Sequence, residues 1–468
     1  MASTNVGEPR KVLENTGDTT SWGIVAHMPY KWLENVPYIS GLSAYYNRGE
    51  NSKVEARYNY DGMPLPNPSA TSTDYGIVVT ALDDKLTIKV GKYRTEVKNG
   101  NLPGGASLIG ANQYYIYQLE AWGTSNSLLY LFGHEGLDPN QNWHWNWAMV
   151  DDNAWGNPDY DPGKPAFENH PSTAKQRAAI DDWINGLDKQ FFENYAIPID
   201  VDAVKAAYAT YKSTGDIQPL IDVTKDVFPV GSYTANLSSQ NNGTINGIVS
   251  NGTIDNTSEG YEIEINYQPT ANWNLQINAS KTNAYRENLG KPMLDYIDKQ
   301  WSRLQGPAGD IRLWWGGDRT LRQYYEDNII SAVKFQQESI GFQAPELRPW
   351  RFSIITNYKF TEGMLKGFNA GGAWRWQDSQ ILGYGFKDDL SGLSVEKPIY
   401  GEKEGKVDLW FGYNRAITDK IDWRIQLNLR NVGQSNDLVP VSANPDGSVA
   451  AVRIVEGMTW ALTNTFSF

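Results

Sequence analysis

The stretch EGYEIEINYQPTANWNLQINAS, Glu259–Ser280, contains two runs of alternating side chains joined by a short polar turn. In the first run Ile263 and Ile265 are apolar, whereas Glu262 and Glu264 beside them are charged. Such a period of two is typical of a β-strand, because successive side chains point to opposite faces of a sheet. The stretch therefore predicts an antiparallel hairpin with one apolar and one polar face.

Eleven segments of the chain show strand patterns of this kind, most of them with about the 9–11 residues that a membrane-spanning strand needs. Tryptophans stand near the ends of several segments, where a membrane barrel carries its aromatic girdles: they are Trp273, Trp350, Trp374, Trp376, Trp423 and Trp460. The eleven predicted strands cover residues 20–28, 38–47, 73–81, 85–94, 259–267, 272–280, 349–360, 367–377, 406–414, 423–431 and 454–468.

The connections between these segments alternate strictly between short and long. The short ones are 29–37, 82–84, 268–271, 361–366 and 415–422, and the long ones are 48–72, 95–258, 281–348, 378–405 and 432–453. In an antiparallel meander, alternate connections lie at opposite ends of the sheet, so all the long loops are predicted at one end. Outer-membrane barrels have this arrangement, with short periplasmic turns and long extracellular loops. The predicted fold is an all-β, antiparallel membrane β-barrel whose largest extracellular loops are 95–258 and 281–348.

The composition excludes several classes of protein. The 468 residues include 18 Trp and 27 Tyr, which are abundant at membrane interfaces. The formal net charge of −13 and the lack of a basic patch argue against a nucleic-acid partner. The absence of cysteine excludes disulfides and thiolate metal sites. No stretch reaches the roughly 18 consecutive apolar residues of a spanning helix, so any membrane spans are expected to be strands.

Two of the long loops contain helical patterns, which predict helices over residues 173–187, 201–212 and 320–338. These helices are expected to be insertions packed within the extracellular loops. Residues 241–257 repeat the tetrapeptide NGTI and are rich in turn-forming residues. They predict a polar hairpin that leads into the strand at Glu259.

The hairpin over Glu259–Ala284, with its Gln-Pro-Thr-x-Asn-Trp turn, resembles a recurring hairpin of the TonB-dependent outer-membrane receptors. QLNLRNVGQ, Gln426–Gln434, is similar to the penultimate strand of that family, and the terminal Phe468 is similar to the signal that the barrel-assembly machinery reads. The resemblance covers Glu259–Phe468, and over residues 20–94 it concerns the layout alone. It implies a location in the outer membrane of a Gram-negative bacterium, in contact with its lipid. It also implies TonB-driven uptake of a scarce nutrient, which would be a siderophore, cobalamin or an oligosaccharide.

The chain departs from this family in extent. Family barrels have roughly 22 strands and a plug domain, whereas the eleven segments here predict the C-terminal half of such a barrel. An odd number of antiparallel strands leaves the first and last strands parallel, so eleven cannot close on themselves. Open edges in lipid leave backbone groups unsatisfied, at a cost of several kcal/mol each. The expectation is a fragment, a truncated gene or a split partner that lacks a signal peptide, the plug and the N-terminal barrel half, and that contacts TonB only through the missing plug.

Candidate ligand-binding residues form two groups. The tryptophans of one long loop could stack on sugar rings or flat siderophore aromatics, or could instead pack a small core within the loop. They are Trp143, Trp145, Trp147 and Trp155. Polar residues on the predicted lumenal face would line the passage or hold the missing plug. They are Arg351, Lys359, Arg375, Gln377, Arg424 and Arg430.

No cofactor, metal site or enzymatic activity is predicted. The histidines, His27, His134, His144 and His170, do not have the spacing of metal ligands. Residues 151–164 are rich in the oxygen ligands that calcium prefers, but they lack the spacing of an EF-hand and also fit a solvated acidic loop. Phosphate-loop, nucleophile-elbow and zinc-protease motifs are absent from the sequence. The alternative that remains open is a soluble, Trp-rich β-sandwich or propeller that binds or cleaves glycans.

Overall fold

The computed structural model of the chain describes residues 14–102, 119–120, 123–128, 131–132, 173–230, 250–311, 320–345 and 347–467. Within them, fifteen strands are found. They are β1 (Thr20–His27), β2 (Ile39–Ser52), β3 (Ser69–Ala81), β4 (Leu86–Asn101), β5 (Thr253–Thr270), β6 (Trp273–Leu289), β7 (Trp350–Lys359), β8 (Phe368–Gln377), β9 (Ile381–Phe386), β10 (Leu393–Tyr400), β11 (Glu404–Thr418), β12 (Ile421–Arg430), β13 (Asp437–Ala443), β14 (Val449–Val455) and β15 (Thr459–Ser467).

Eleven of these strands form one antiparallel sheet in the order β1-β2-β3-β4-β5-β6-β7-β8-β11-β12-β15. Each sheet strand pairs with its neighbour in the chain, apart from the two-stranded hairpins β9–β10 and β13–β14, which are inserted in loops. Each of the eleven predicted segments overlaps one strand of this sheet, so the predicted antiparallel meander is confirmed. Because this fold is a single large sheet, the sandwich or propeller alternative is wrong.

The long connections all lie at one end of the sheet, as predicted. They are residues 53–68, 102–252, 290–349, 378–403 and 431–458, whereas the connections at the other end are 28–38, 82–85, 271–272, 360–367 and 419–420. We call these two ends the loop end and the turn end. Several strands extend further toward the loop end than their apolar alternation predicts, because the backbone ladder continues where the apolar face becomes charged. On β4 and β5, for example, Lys98 pairs with Asp255 at 3.4 Å.

Two sequence predictions need correction. Residues 253–257 belong to β5 and not to a separate hairpin, while residues 241–249 lie outside the described part of the chain. The predicted strand 454–468 is in fact two elements, since Ile454 lies in β14 and β15 begins at Thr459. The break is held by hydrogen bonds from the Gly457 amide to Asn436 Oδ1 at 2.7 Å and from the Met458 amide to the Gln434 carbonyl at 2.9 Å.

The loops contain most of the helices. Those for which bounds are defined are α1 (Tyr30–Leu33), α2 (Thr173–Asn185), α3 (Lys189–Asn194), α4 (Val201–Thr214), α5 (Gln218–Thr224), α6 (Lys291–Leu304), α7 (Leu321–Tyr325) and α8 (Ser331–Glu338). The three helical predictions are confirmed by α2, by α4 and by α7–α8, which a π-helical turn connects. The Asp200 side chain caps α4 by accepting a hydrogen bond from the Ala203 amide at 3.0 Å. Across the described ranges, no helix is both long and apolar enough to cross a membrane.

The buried apolar core lies among the loop helices and not within the sheet. We call α2–α8 and the side chains packed between them the helical loop cluster. Its core includes Trp183, Phe191, Tyr195 and Tyr325, and the ends of β5 and β6 contribute Ile254 and Leu289. By contrast, large apolar side chains of the sheet remain exposed, with 70% of Trp460 and 64% of Ile24 accessible. The sheet therefore presents an apolar surface that the described chain does not cover.

A buried ion pair stabilises the helical loop cluster. Arg303 on α6 is paired with Glu120, and its guanidinium lies 3.9 Å from the centre of the Trp183 ring. The Glu120 side chain is fully buried, and its Oε1 atom also accepts a hydrogen bond from Gln300 Nε2 at 3.1 Å. Among the described residues, its Oε2 atom has no hydrogen-bond partner. The arginine therefore supplies most of the compensation for this buried negative charge.

A second buried arginine connects three loop-end segments. The Arg348 side chain, 7% exposed, donates to the carbonyl oxygens of Asp378 at 2.6 Å and Glu402 at 3.1 Å. It also pairs with Glu404 at 2.5 Å, and Arg453 on β14 pairs with the same carboxylate at 2.6 Å. These contacts fix the loop ends of β7, β8 and β11 relative to the β13–β14 hairpin.

Candidate functional site

The register of the sheet separates an apolar face from a polar face. Residues directly opposite each other in an antiparallel ladder lie on the same face. Ile263 on β5 is paired with Val90 and Ala279, whereas Glu264 is paired with Lys89 and Asn278. The face assignment made from the alternation in the sequence therefore agrees with the pairing of neighbouring strands.

Aromatic rings border the apolar face at both ends. The loop-end belt consists of Trp22, Tyr46, Tyr75, Tyr261, Trp350, Phe352 and Trp376, in which the centres of contacting rings are 5.3–6.4 Å apart. The turn-end belt consists of Tyr267, Trp273, Tyr358, Phe360, Phe368, Tyr413, Trp423 and Phe466. The two belts are six residues apart on β5, from Tyr261 to Tyr267, and eight on β8, from Phe368 to Trp376. These separations are roughly 20–27 Å along a strand, comparable with the apolar band of about 25 Å on membrane barrels.

The turn-end belt does not follow a single row of paired residues. Trp273 and Tyr358 are directly paired, Phe368 and Tyr413 form the next pair, and Trp423 on β12 is paired with Phe466. Tyr358 is opposite Ala370, and Phe368 of the next pair lies two residues closer to the turn end than Ala370. In the same way, Tyr413 is opposite Ile425, and Trp423 lies two residues closer to the turn end than Ile425. Such steps are expected where strands are tilted relative to a membrane plane, as they are in barrels.

On the polar face, three of the predicted site residues line one cavity of about 430 Å³. Arg351 is paired with Gln377 across β7 and β8, and Arg375 is paired with Ser353 on the same two strands. The Arg375 guanidinium also forms an ion pair with Asp408 at 2.5 Å. Arg351, in contrast, makes no ion pair with any residue that the structure describes. Its guanidinium is therefore available to an anionic group in the cavity.

The remaining predicted lumenal residues do not join this cavity. Lys359 and Arg424 line a second cavity of about 800 Å³ near the turn end, together with Asn357, Asn369 and Gln426. Arg424 donates a hydrogen bond to Gln426 at 2.6 Å. Arg430 lies at the loop end of β12, opposite Thr459, and is not among the lining residues of either cavity. The single group predicted from the sequence thus corresponds to three separate positions on one face.

Other residues that line the first cavity were not predicted from the sequence, notably Lys89, Glu262 and Glu264. The alternation had already placed the two glutamates on the polar face, and the pairing of Lys89 with Glu264 brings the lysine beside them. Together with Arg351 and Arg375, these residues give the cavity three cationic and two anionic side chains. The register of β4 against β5 was the information that the sequence pattern lacked.

Several predicted positions lie outside the described residues. These are Trp143, Trp145, Trp147, Trp155, Phe468, the acidic residues 151–164 and the histidines His134, His144 and His170. His27 is described, and it lies on β1 opposite Ser43. No group of three or more His, Asp or Glu side chains that could hold a metal ion occurs in the ranges given above.

Large side chains on the polar face lie flat over glycines of neighbouring strands. The Tyr45 hydroxyl lies where a Cβ at Gly76 or Gly91 would stand, and the Tyr93 ring covers Gly260 in the same way. The Tyr93 hydroxyl reaches Thr282 Oγ1 at 2.7 Å. The Trp410 ring covers Gly371 and donates from Nε1 to Asn357 Oδ1 at 2.8 Å. We call these the ring-over-glycine contacts. A Cβ at Gly91 would displace the Tyr45 ring, whereas a Cβ at Gly76, Gly260 or Gly371 would also clash with a backbone carbonyl oxygen of a neighbouring strand.

Titratable groups at the loop end are shifted by burial and by hydrogen bonds. Burial raises the pKa of Tyr296 and Tyr325, so both hydroxyls in the helical loop cluster stay neutral. Hydrogen bonds from the Ser391 and Ser448 side chains lower the pKa of Asp389 and Asp446, at the tips of the β9–β10 and β13–β14 hairpins. These hairpin tips therefore carry negative charge at neutral pH.

No family model and no curated protein sequence matches the chain. Among solved structures, it is similar to the ferripyoverdine receptor of the outer membrane of Pseudomonas aeruginosa, with 11% identity, coverage of 96% of this chain and 32% of that chain, and a TM-score of 0.41. It is also similar to the ferric-catecholate import receptor of E. coli K12, with 12% identity, coverage of 95% of this chain and 34% of that chain, and a TM-score of 0.38. The ferric yersiniabactin uptake receptor of Yersinia pestis shares 9% identity, with coverage of 91% of this chain and 35% of that chain and a TM-score of 0.36. The chain spans about one third of the length of each of these receptors.

Proposed function

We propose that the chain forms part of the wall of an outer-membrane receptor that takes up a scarce nutrient. The observation that carries this proposal is the exposed apolar face of the eleven-stranded sheet, bordered by an aromatic belt at each end. A contiguous apolar surface of this size needs a nonpolar environment, and the spacing of the belts is close to the thickness of a membrane barrel's apolar band. The lipid of a Gram-negative outer membrane contacts this face, and the long loops project outside the cell.

A pair of single-cysteine variants tests the membrane assignment, because the natural sequence contains no cysteine. Ile263→Cys and Glu264→Cys, each labelled with a polarity-sensitive fluorophore, place the label on opposite faces of β5 in a chain reconstituted into lipid vesicles. We expect blue-shifted emission and quenching by lipid-borne spin labels from position 263. Position 264 should instead be quenched by iodide from the aqueous phase. Equal quenching of both labels by the same agent would contradict the assignment of faces and the proposed membrane location.

Within this function, we propose that the polar face interacts with an anionic ligand during its passage or with the plug domain of the receptor. Arg351, Lys359 and Arg430 form no ion pair within the described ranges, and Arg375 has a single carboxylate partner. Guanidinium groups form strong, directional hydrogen bonds with anionic oxygen atoms. Ligand capture belongs to the long loops over residues 95–258 and 281–348, where Trp143, Trp145, Trp147 and Trp155 would stack on flat ligand groups. Because the similar solved structures are receptors of ferric compounds, a ferric siderophore is the class to test before cobalamin or an oligosaccharide.

Replacing the two cavity arginines should weaken the binding of an anionic ferric siderophore to the reconstituted chain. Charge-assisted hydrogen bonds contribute about 1.5–3 kcal/mol each, so Arg351→Gln with Arg375→Gln should raise the Kd at least about tenfold. Quenching of tryptophan fluorescence during titration with the ferric ligand measures the Kd. The matched control is Lys31→Gln with Lys420→Gln, two exposed lysines in turn-end connections. An unchanged Kd in the arginine variant would contradict a role for this cavity in ligand binding.

We infer further partners from the pairing at the edges of the sheet. Within the described residues, β1 pairs only with β2, and β15 pairs only with β12. Both edge strands run from the loop end to the turn end, so an all-antiparallel closure requires an odd number of additional strands. We assign these strands to the N-terminal half of the barrel and assign transport energy to TonB, acting through a plug domain. Phe468 serves as the signal for the barrel-assembly machinery, and cofactors have no part in this scheme.

A further inference from the structure

Two lysines alternate with aromatic residues in one row of the apolar face. Tyr75, Lys92, Tyr261, Lys281 and Trp350 are successive partners across strands β3 to β7, so all five side chains lie on that face. Lys92 Nζ is 5.4 Å from the centre of the Tyr261 ring, and Lys281 Nζ is 5.5 Å from the centre of the Trp350 ring. Both ammonium groups therefore lie within the loop-end belt, at the border of the apolar band.

These two lysines differ from the cationic side chains that lie closer to the loop end on the same face. Arg94 forms ion pairs with Glu96 at 2.7 Å and Glu259 at 3.5 Å, and Lys98 pairs with Asp255. Lys92 and Lys281, in contrast, have no carboxylate partner among the residues that the structure describes. The chain thus neutralises the charges that lie farther toward the loops and leaves two positive charges unpaired at the membrane border.

The spacing of the two ammonium groups suits separate anionic headgroups. Lys92 is on β4 and Lys281 is on β6, with Tyr261 of β5 between them. Two inter-strand steps separate them by about 10 Å. Each side chain leans over the ring on the next strand, so its methylene groups cover apolar surface while the ammonium remains at headgroup depth. The attraction between an unpaired cation and an anion is stronger at this depth than in bulk water.

We propose that Lys92 and Lys281 bind phosphate groups of lipid headgroups in the leaflet on the loop side of the membrane. This inference rests on the proposed function, since it requires the apolar face to be embedded in a bilayer. The ring beneath each ammonium holds the cation in place, and the phosphate oxygens supply the acceptors that the protein lacks. The site selects lipids by headgroup charge and so determines which lipids surround this part of the wall.

Headgroup selectivity in vesicles tests the proposal. The whole chain is reconstituted into phosphatidylcholine, and belt tryptophans such as Trp350 are quenched with brominated phosphatidic acid or with brominated phosphatidylcholine. A basic residue near an anionic surface is expected to favour the anionic lipid by about fivefold. The Lys92→Gln, Lys281→Gln double variant should therefore lose most of a preference that the native chain shows, while a double Lys→Arg variant should retain it. The control variant, Lys366→Gln with Lys420→Gln, removes two lysines at the turn end and should keep the native preference.

Each other outcome has a distinct meaning. Equal quenching by the two lipids in the native chain, or an unchanged preference in the lysine-to-glutamine variant, would overturn the lipid-phosphate site and leave the membrane assignment intact. Quenching by neither lipid would instead overturn the proposed function itself. Inorganic phosphate is added as the competing source. If it abolished the preference as effectively as unlabelled phosphatidic acid, the site would be one for free phosphate, and the lipid proposal would be wrong.

Discussion

Replacing Arg303 with methionine will destabilise the helical loop cluster by about 3–5 kcal/mol, the usual cost of removing one member of a buried ion pair. The substitution leaves the Glu120 carboxylate fully buried, with Gln300 as its hydrogen-bond partner and with no partner for Oε2 among the residues that the structure describes. It also removes the cation from the face of Trp183. Amide hydrogen exchange in α2 and α6 measures the effect as a loss of protection relative to the native chain.

Two further variants separate charge burial from other effects. Lys291→Met removes an ion pair with Asp295 on α6, the helix that carries Arg303, but the two side chains are 82% and 60% exposed, so the expected cost is about 0–1 kcal/mol. Combining Glu120→Leu with Arg303→Met removes both buried charges and should restore much of the lost protection, because neither charge is then left uncompensated. Equal losses for Arg303→Met and Lys291→Met would show that burial of the Glu120 charge does not govern stability here.

The exchange of Ile263 for arginine will destabilise the chain folded in lipid vesicles by about 2–4 kcal/mol, the cost of a cation near the midplane of a membrane barrel. Ile263 lies on the apolar face between Tyr261 and Tyr267, and a guanidinium there has no carboxylate in its row, where Val90 and Ala279 are its partners. Glu264→Gln, one residue away on the polar face, should have little effect. Denaturant titrations of folding into vesicles compare the two variants, and costs of similar size would refute the face assignment.

The sequence was sufficient to predict most of the sheet but not most of the loops. Period-two alternation identified β5 and β12 because one face of each must be apolar throughout the band between the belts. The same alternation is absent above the band, so the extension of β4 to Asn101 could not be read from it. Helix α6 escaped prediction although its buried residues Met293, Ile297 and Leu304 follow helical spacing. In a polar loop, only packing against neighbouring helices distinguishes such a pattern from chance.

The candidate site was predicted in part, for a related reason. Alternation assigns each residue to a face but does not give its height relative to residues on other strands. Arg351 and Arg375 line one cavity, whereas Arg424 lines another. The pairing register between successive strands from β7 to β12 determines which of these residues are neighbours. That register depends on turn lengths and on shifts such as the irregularity between Ala416 and Thr418. Neither is visible in the composition of a single strand.

In the receptor wall proposed above, the ring-over-glycine contacts have a consequence for the internal cross-section. A tyrosine or tryptophan standing upright from a strand would project far into the lumen, whereas Tyr45, Tyr93 and Trp410 lie along the wall because the neighbouring positions have no Cβ. Bulky, rigid side chains can therefore stiffen the sheet without narrowing the conduit. In the proposed receptor, the clearance available to a passing solute is then set by flexible polar side chains such as Arg351, which can move aside. An alanine at Gly91 would push the Tyr45 ring away from the sheet and create a fixed constriction at that level. The glycine therefore keeps the ring flat against the wall.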